Sequence, residues 1–230
     1  MRYRQHTMNE PKRLHLILIG PPGAGKSTVA ELLIQHIPLT IIATGQLLRH
    51  EIATGTPIGR AVKPLLDQGH FAPDTMMDRL MRQWLHEVPA DRGFILDGYP
   101  RNPKQAVALD GMLADKRRPL SAAIVLTLDD AEVIRRLSGR RICRWAGEPF
   151  TLHTSDAGAI ARCAELGGVL ETRDDDHPAI IQERLRVYEQ ATAPLIAFYA
   201  KQNMLARVEA NGAPETVVAG VLAAVRTHIG

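Results

Sequence analysis

Gly20-Pro21-Pro22-Gly23-Ala24-Gly25-Lys26-Ser27-Thr28 decides how this chain is read. The residues before it, Leu14-His15-Leu16-Ile17-Leu18-Ile19, form a short apolar run that predicts a buried strand. After it, Ser27 to His36 has helical spacing at Val29, Leu32 and Leu33, and Pro38 closes the segment. A G-x-x-x-x-G-K-S pattern between a strand and a helix is a phosphate-binding loop. Backbone N–H groups of Gly23, Ala24 and Gly25, with a helix N-terminus behind them, form an anion site. Lys26 brings a point charge to the β- and γ-phosphates, and Ser27 or Thr28 offers a hydroxyl to a phosphate oxygen or a magnesium ion. The loop therefore implies a nucleoside triphosphate, with ATP expected, but not which P-loop protein this is.

Composition narrows the classes. At 230 residues the chain suffices for one large domain carrying small inserts. Hydrophobic residues at 45% and charged residues at 23% exclude a disordered chain. Aromatics at 4% argue against a base-stacking surface, and a formal charge of +3 is small, so a phosphorylated small molecule is expected and nucleic acid is not. Only Cys143 and Cys163 occur, which excludes a disulfide framework. No apolar run approaches the ~18–20 residues of a membrane span, and Met1 to Lys12 lacks the apolar stretch of a secretory signal. A cytoplasmic enzyme with a frayed tail over residues 1–13 is the expectation.

Further strands are expected at 39–43, 93–96, 122–128 and 204–208, and helices at 74–86, 102–116, 130–137, 178–201 and 214–228, with Asp130 as an N-cap. Such alternation predicts a doubly covered parallel sheet. Two stretches break the rhythm. Residues 44–73 carry two short helical patterns, broken at Gly55-Thr56-Pro57 and ended by Gly69. Residues 140–173 are rich in turn residues and show no convincing helix period. Both read as inserts.

A strand ending in Asp97 beside the phosphate loop would set a carboxylate near the phosphates, able to hold the waters of Mg²⁺. Arg101 follows it closely. Arg49 sits on the first insert, Arg136, Arg140 and Arg141 lead into the second, and Arg173 leaves it, with Arg184 beyond. Singly each reads as a surface charge. Gathered at the hinges of two inserts, they read as a cage for several phosphates, because guanidinium makes bidentate contacts and keeps its proton.

These residues resemble the adenylate kinase family in its long-lid form. The pieces GPPGAGKST, ATGQLLR, FILDGYPR with PKQA, RRLSGRR, ETRDDD and ERLRVYEQATAPLI run in family order from about Leu14 onward. The resemblance implies an α/β P-loop kinase with a five-stranded parallel core (14–43, 74–135, 176–230), an AMP-binding insert (44–73) and a lid (136–175). It implies ATP + AMP ⇌ 2 ADP with Mg²⁺, in a monomer. By the same resemblance Lys26 holds phosphate, and Thr44, Gly45, Arg49, Gly98, Arg101 and Gln105 form the AMP site. Threonine and glutamine face adenine there. Arg136 stacks on the ATP adenine, Arg140 contacts its phosphates, and Arg173 and Arg184 close over the transferring group. Asp97 is the magnesium-water carboxylate, and Asp175 and Asp176 match the acidic pair at the lid hinge.

Two departures stand out. The family's Ser-Thr-Gly-Asp reads Ala43-Thr44-Gly45-Gln46, which removes a carboxylate and predicts weaker Mg²⁺ organisation. Zinc-bearing lids carry four cysteines where this chain has Cys143, Ala146, Cys163 and Leu166. Tetrahedral zinc needs four donors, and His153 is not at a ligand position, so a zinc-free lid is expected, held by those four side chains packing together. A Cys143–Cys163 disulfide is disfavoured in a reducing cytosol. The competing readings are a kinase acting on UMP, CMP or GMP, a P-loop kinase of another small molecule, and a nucleotide sensor that has lost turnover. Thr44, Gln105 and the long lid favour AMP.

Overall fold

Alternate side chains of a buried parallel strand point to opposite faces, so an unbroken apolar run serves two cores at once. In the computed structural model, which describes residues 13–229, the run before the phosphate loop is such a strand, β1 (His15–Ile19). It is central in a five-stranded parallel sheet with β2 (Leu39–Ala43), β3 (Gly93–Asp97), β4 (Ala122–Thr127) and β8 (Leu205–Glu209), in the order β2-β3-β1-β4-β8. Ile17, Ile19, Phe94 and Leu96 face one core with helices α4 (Asp74–Glu87) and α5 (Pro103–Asp115). Leu16, Leu18, Ile95 and Ile124 face the other, with α1 (Lys26–Leu33) and α10 (Pro214–Ile229). The N-terminal tail expected at 1–13 lies, apart from Arg13, outside the described residues.

The connection from β1 leads to one side of the sheet and that from β4 to the other. A crevice therefore opens at their carboxyl ends, where ligands of open α/β sheets bind. The phosphate loop closes it below and the inserts flank it. The first insert is α2 (Thr44–Ala53) and α3 (Pro57–Asp67), with Thr56 capping α3 by accepting from Gly59 N at 3.0 Å.

The second insert begins after α6 (Asp130–Ser138) as a three-stranded antiparallel sheet, β6-β5-β7. Its strands are β5 (Arg140–Arg144), β6 (Phe150–His153) and β7 (Val169–Glu171), with helix α7 (Ala157–Glu165) between β6 and β7. No helix is expected there from the sequence because the inward face of α7, Ala159, Ile160 and Cys163, is a single short stripe set among turn residues. Its start is set instead by Asp156, which accepts from Ala159 N at 2.9 Å. Two further expectations are corrected. Asp130 is the first residue of α6, not its cap; Asp129 holds that position without a side-chain hydrogen bond. The helix expected over 178–201 is α8 (Pro178–Val187), a π-turn (Tyr188–Thr192) and α9 (Pro194–Lys201), because Pro194 has no N–H to continue the ladder.

The lid core also differs from expectation. Cys143 and Cys163 are joined as a disulfide, packed with Leu152, Phe150, Ala159 and Ile160, while Ala146 is exposed and Leu166 lies outside the cluster. With both thiols spent on each other, neither is left as a metal-binding thiolate. The sulfurs sit in residues 0% and 1% exposed, shielded from solution thiols, which offsets the argument from a reducing cytosol. A cross-link across 20 residues is expected to stabilise the lid by about 3 kcal/mol through its unfolded state. Reduction, or the double change Cys143→Ala and Cys163→Ala, should speed amide exchange over 140–171 and leave β1 and β3 protected. Unchanged lid protection after full reduction would show that the bond holds nothing.

Candidate active site

The phosphate loop turns through Gly25 at φ 78°, a conformation that favours glycine, and α1 starts at Lys26. The Lys26 Nζ donates to the carbonyls of Gly20 at 2.8 Å and Pro21 at 2.9 Å, so the ammonium lies folded over the loop. Burial pushes its pKa down to about 8. Asp97 opposes that shift, and Arg101, Arg184 and Arg140 add to it. Parallel register sets Asp97 opposite Leu18 on one side and Ala43 on the other. Its carboxylate accepts from Ser27 Oγ at 2.5 Å. This pair supplies only hard oxygen donors, and the described residues contain no cluster of three metal-binding side chains. That donor set fits Mg²⁺, which keeps its waters and takes phosphate oxygens for the remaining positions.

On the other side of Asp97, Gly98 at φ 86° lets two side chains approach its backbone. A Cβ there would lie 2.5 Å from Thr44 Oγ1 and 3.1 Å from an Arg101 nitrogen. Thr44 Oγ1 donates to the Asp97 carbonyl at 3.2 Å. Arg101 donates from Nε to the Gly98 carbonyl at 2.7 Å, and its guanidinium lies 4.2 Å over the Phe71 ring. Gln105, 1% exposed, accepts from Arg101 N at 2.7 Å and donates to Asp74 at 2.8 Å. Thr192, on the π-turn, donates to the Arg101 carbonyl at 2.9 Å. Gly45 and Arg49 line the same cleft from α2. Phe71 and Thr192 escaped the sequence reading. A single phenylalanine in a turn has no period, and a π-turn has no composition signal.

Arginines close the top. Asp176, whose side chain is fully buried, receives Nε and Nη2 of Arg140 at 2.7 and 2.6 Å and Nη1 of Arg184 at 2.9 Å. Arg184 also meets Asp175 at 3.1 Å. The lid strand β5 and the core helix α8 are thus tied through one carboxylate. Burial would raise the pKa of Asp175, but Arg184, Arg140, Arg173 and Arg49 hold it below the usual carboxylate range. Arg173 donates to Thr151 Oγ1 at 3.1 Å, while its buried Nε has no partner. Burial pushes Arg101 and Arg173 down to about 10, helped by neighbouring arginines, so both remain charged at neutral pH. Burial also lowers Arg49. Arg136 is held flat by Glu132 at 2.7 Å and the Ala210 carbonyl at 2.8 Å, beside the cleft wall formed by Gly212, Pro214 and Val217.

The residues expected at the site line one cleft of about 1310 Å³, except Asp176, buried behind Arg140 and Arg184, and Arg141, which instead donates to the carbonyls of Ser138 at 2.8 Å and Arg140 at 2.7 Å. A phosphate loop at one end, a hydroxyl–carboxylate pair beside it and a cage of arginines define a P-loop phosphotransferase. The adenylate kinase family profile matches residues 18–204. The chain is 41% identical to the adenylate kinase of Salinispora tropica over 94% of this chain and all of the relative. It is 41% identical to that of Acidothermus cellulolyticus over 93% of this chain and 98% of the relative, and 38% identical to that of Pyrococcus furiosus over 86% and 90%. The chain belongs to the adenylate kinase family.

Lys26 must carry its proton to meet a polyphosphate, and in the free protein it loses that proton near pH 8. Bound phosphate raises that pKa. ATP affinity is therefore expected to hold between pH 6.5 and 7.5 and to fall above about 8. Binding at pH 8.5 should draw up protons, read as a buffer-dependent heat by calorimetry. Equal heats in all buffers at pH 8.5 would refute the assignment.

Proposed function

We propose that the residues of this cleft divide the work of ATP + AMP ⇌ 2 ADP as follows. Lys26 and the loop amides of Gly23 to Thr28 hold the β- and γ-phosphates of ATP, with Arg136 stacked on its adenine. Arg49 and Arg101 hold the AMP phosphate. Thr44, Gly45, Gly98 and Gln105 shape the AMP base pocket, and the Gln105 amide keeps one N–H beyond the one given to Asp74. Arg140, Arg173 and Arg184 neutralise charge on the transferring group. Ser27 and Asp97 hold Mg²⁺, Asp97 through water, and bound Mg²⁺ would neutralise and orient the β- and γ-oxygens.

A phosphate oxygen of AMP attacks the γ-phosphorus, the bond to the β-bridging oxygen breaks, and ADP leaves on each side. The second pKa of a phosphate monoester lies near about 6, so the nucleophile is already ionised at pH 7 and needs no general base. The side chains supply position and charge. The observation that carries this reading is the Asp176 clamp. It joins two arginines from separate elements, both lining the cleft, to one buried carboxylate.

In this reading 44–73 is the AMP arm, 136–175 is the lid, and 14–43, 74–135 and 176–230 form the core. Closure of the lid excludes water, which would otherwise take the phosphoryl group. Among the described residues no helix is long and apolar enough to cross a membrane. A cytoplasmic monomer working on free nucleotides, without nucleic acid or membrane, completes the proposal.

Incubation with Mg-ATP and each of AMP, CMP, UMP and GMP should give diphosphate with AMP alone. Turnover with a pyrimidine monophosphate, or binding without turnover, would replace this reading by one of its competitors. Arg173→Ala is expected to lower kcat by about 10²–10³-fold, and Arg101→Ala to raise the KM for AMP while leaving that for ATP near its original value.

A further inference from the structure

Gln46 stands where the family resemblance places an aspartate, and its side chain has one partner. Its Nε2 lies 3.5 Å from Oε1 of Glu31. Glu31 is on α1, four residues and so about one turn beyond Ser27, on the same helix face. Helical side chains lean back toward the N-terminus, which carries this carboxylate toward the Ser27–Asp97 pair. Glu31, Gln46, Ser27 and Asp97 all line the cleft. Among the described residues Glu31 forms no ion pair, and the Gln46 amide is its single hydrogen-bond partner.

An exposed helical glutamate is ordinarily just solvated. This one borders a polyphosphate site, where an unneutralised carboxylate repels ligand phosphates by simple charge. The repulsion becomes attraction once a divalent cation and its waters lie between. Here the one side chain that meets the carboxylate is a neutral amide, 3.5 Å away, which leaves its charge uncancelled.

We propose that Glu31 is a positioning residue for the metal: it supplies the second carboxylate that holds the waters of Mg²⁺, and Gln46 holds it in place. The charge has moved from α2 to α1 across the same gap. The lost aspartate is thereby replaced, not merely missing. The proposal rests on the assignment of the Ser27–Asp97 pair to the nucleotide-bound metal.

Two binding measurements on the full chain test it. Mn²⁺ binding to the complex with a non-hydrolysable ATP analogue is followed by electron paramagnetic resonance, and metal-free analogue binding in EDTA by calorimetry. Glu31→Gln should weaken Mn²⁺ binding about tenfold, the effect typical of outer-shell partners, while metal-free affinity stays or rises. Gln46→Asp alone should give no gain, because it sets two carboxylates side by side. The swap Glu31→Gln with Gln46→Asp should bring Mn²⁺ affinity back to within about twofold of the original chain. Unchanged Mn²⁺ affinity in Glu31→Gln overturns the proposal, as does an equal loss of metal-free affinity, which marks a purely structural role. Failure of the swap to recover binding overturns it too. An absence of any Mn²⁺ effect from Asp97→Asn instead strikes the underlying metal assignment, and is told apart by that variant.

Discussion

Cations crowded into a half-dry cleft repel one another, and much of this structure exists to hold them there. Lys26, Arg49, Arg101 and Arg173 all have pKa values lowered, chiefly by burial, with further lowering from neighbouring arginines, Arg140 and Arg184 above all. Three carboxylates hold this charge: Asp97 beneath, Asp175 and Asp176 above. Asp176 matters most because its side chain is fully buried and accepts from Arg140 and Arg184 together. A buried ion pair of this kind is weak evidence for stability, since desolvation consumes most of the attraction. Its return is geometric. Two forks are fixed before nucleotide arrives, so little ordering remains when phosphates enter.

The same arrangement bears on where the second insert joins the core. Arg140 begins the lid strand β5 and Arg173 sits just after β7, so the lid's ends bear charges that phosphates attract. Opposite them, Arg101 is fixed to the sheet by Gly98, Phe71, Gln105 and Thr192. One half of the cage is thus held by the sheet, and the other is attached to the insert proposed as the lid. A ligand bridging the two has differential affinity for the closed form, which is the requirement for closure to be ligand-driven.

Elements with a buried apolar period were legible in the sequence. The strand and phosphate loop at residues 14–28 read correctly because a buried parallel strand is a continuous apolar run and the loop's glycines have fixed spacing. The two helices of 44–73 were marked by Gly55-Thr56-Pro57, whose threonine caps the second. Residues organised by something other than burial were not legible. Helix α7 turns only Ala159, Ile160 and Cys163 inward, too short a stripe to give a period, the π-turn owes its form to Pro194, and Asp129 rather than Asp130 precedes α6. In the cleft, the arginines other than Arg141 lie where their charge made them candidates, whereas Phe71 and Thr192 meet Arg101 through contacts made only in three dimensions. The pairing of Cys143 with Cys163 was set aside on grounds of compartment, an argument blind to how deeply the sulfurs are buried.

Two departures from the family pattern turn out to have the same form. In the lid, half of the zinc-type cysteines are gone, yet Cys143 and Cys163, the first of each former pair, join directly and still tie β5 to α7. At the metal side of the cleft the α2 carboxylate is gone, yet Glu31 offers one from α1 beside the Gln46 amide. A cross-link restricts the unfolded lid according to the length of loop it closes, whatever the chemistry of the link. A metal's water shell responds to negative charge at a place, whichever element delivers it. Physical demands of this kind constrain position and charge more tightly than residue identity, so substitution at Gln46 and loss of two cysteines leave an insert that is still fastened and a cleft still lined by two carboxylates, Asp97 and Glu31.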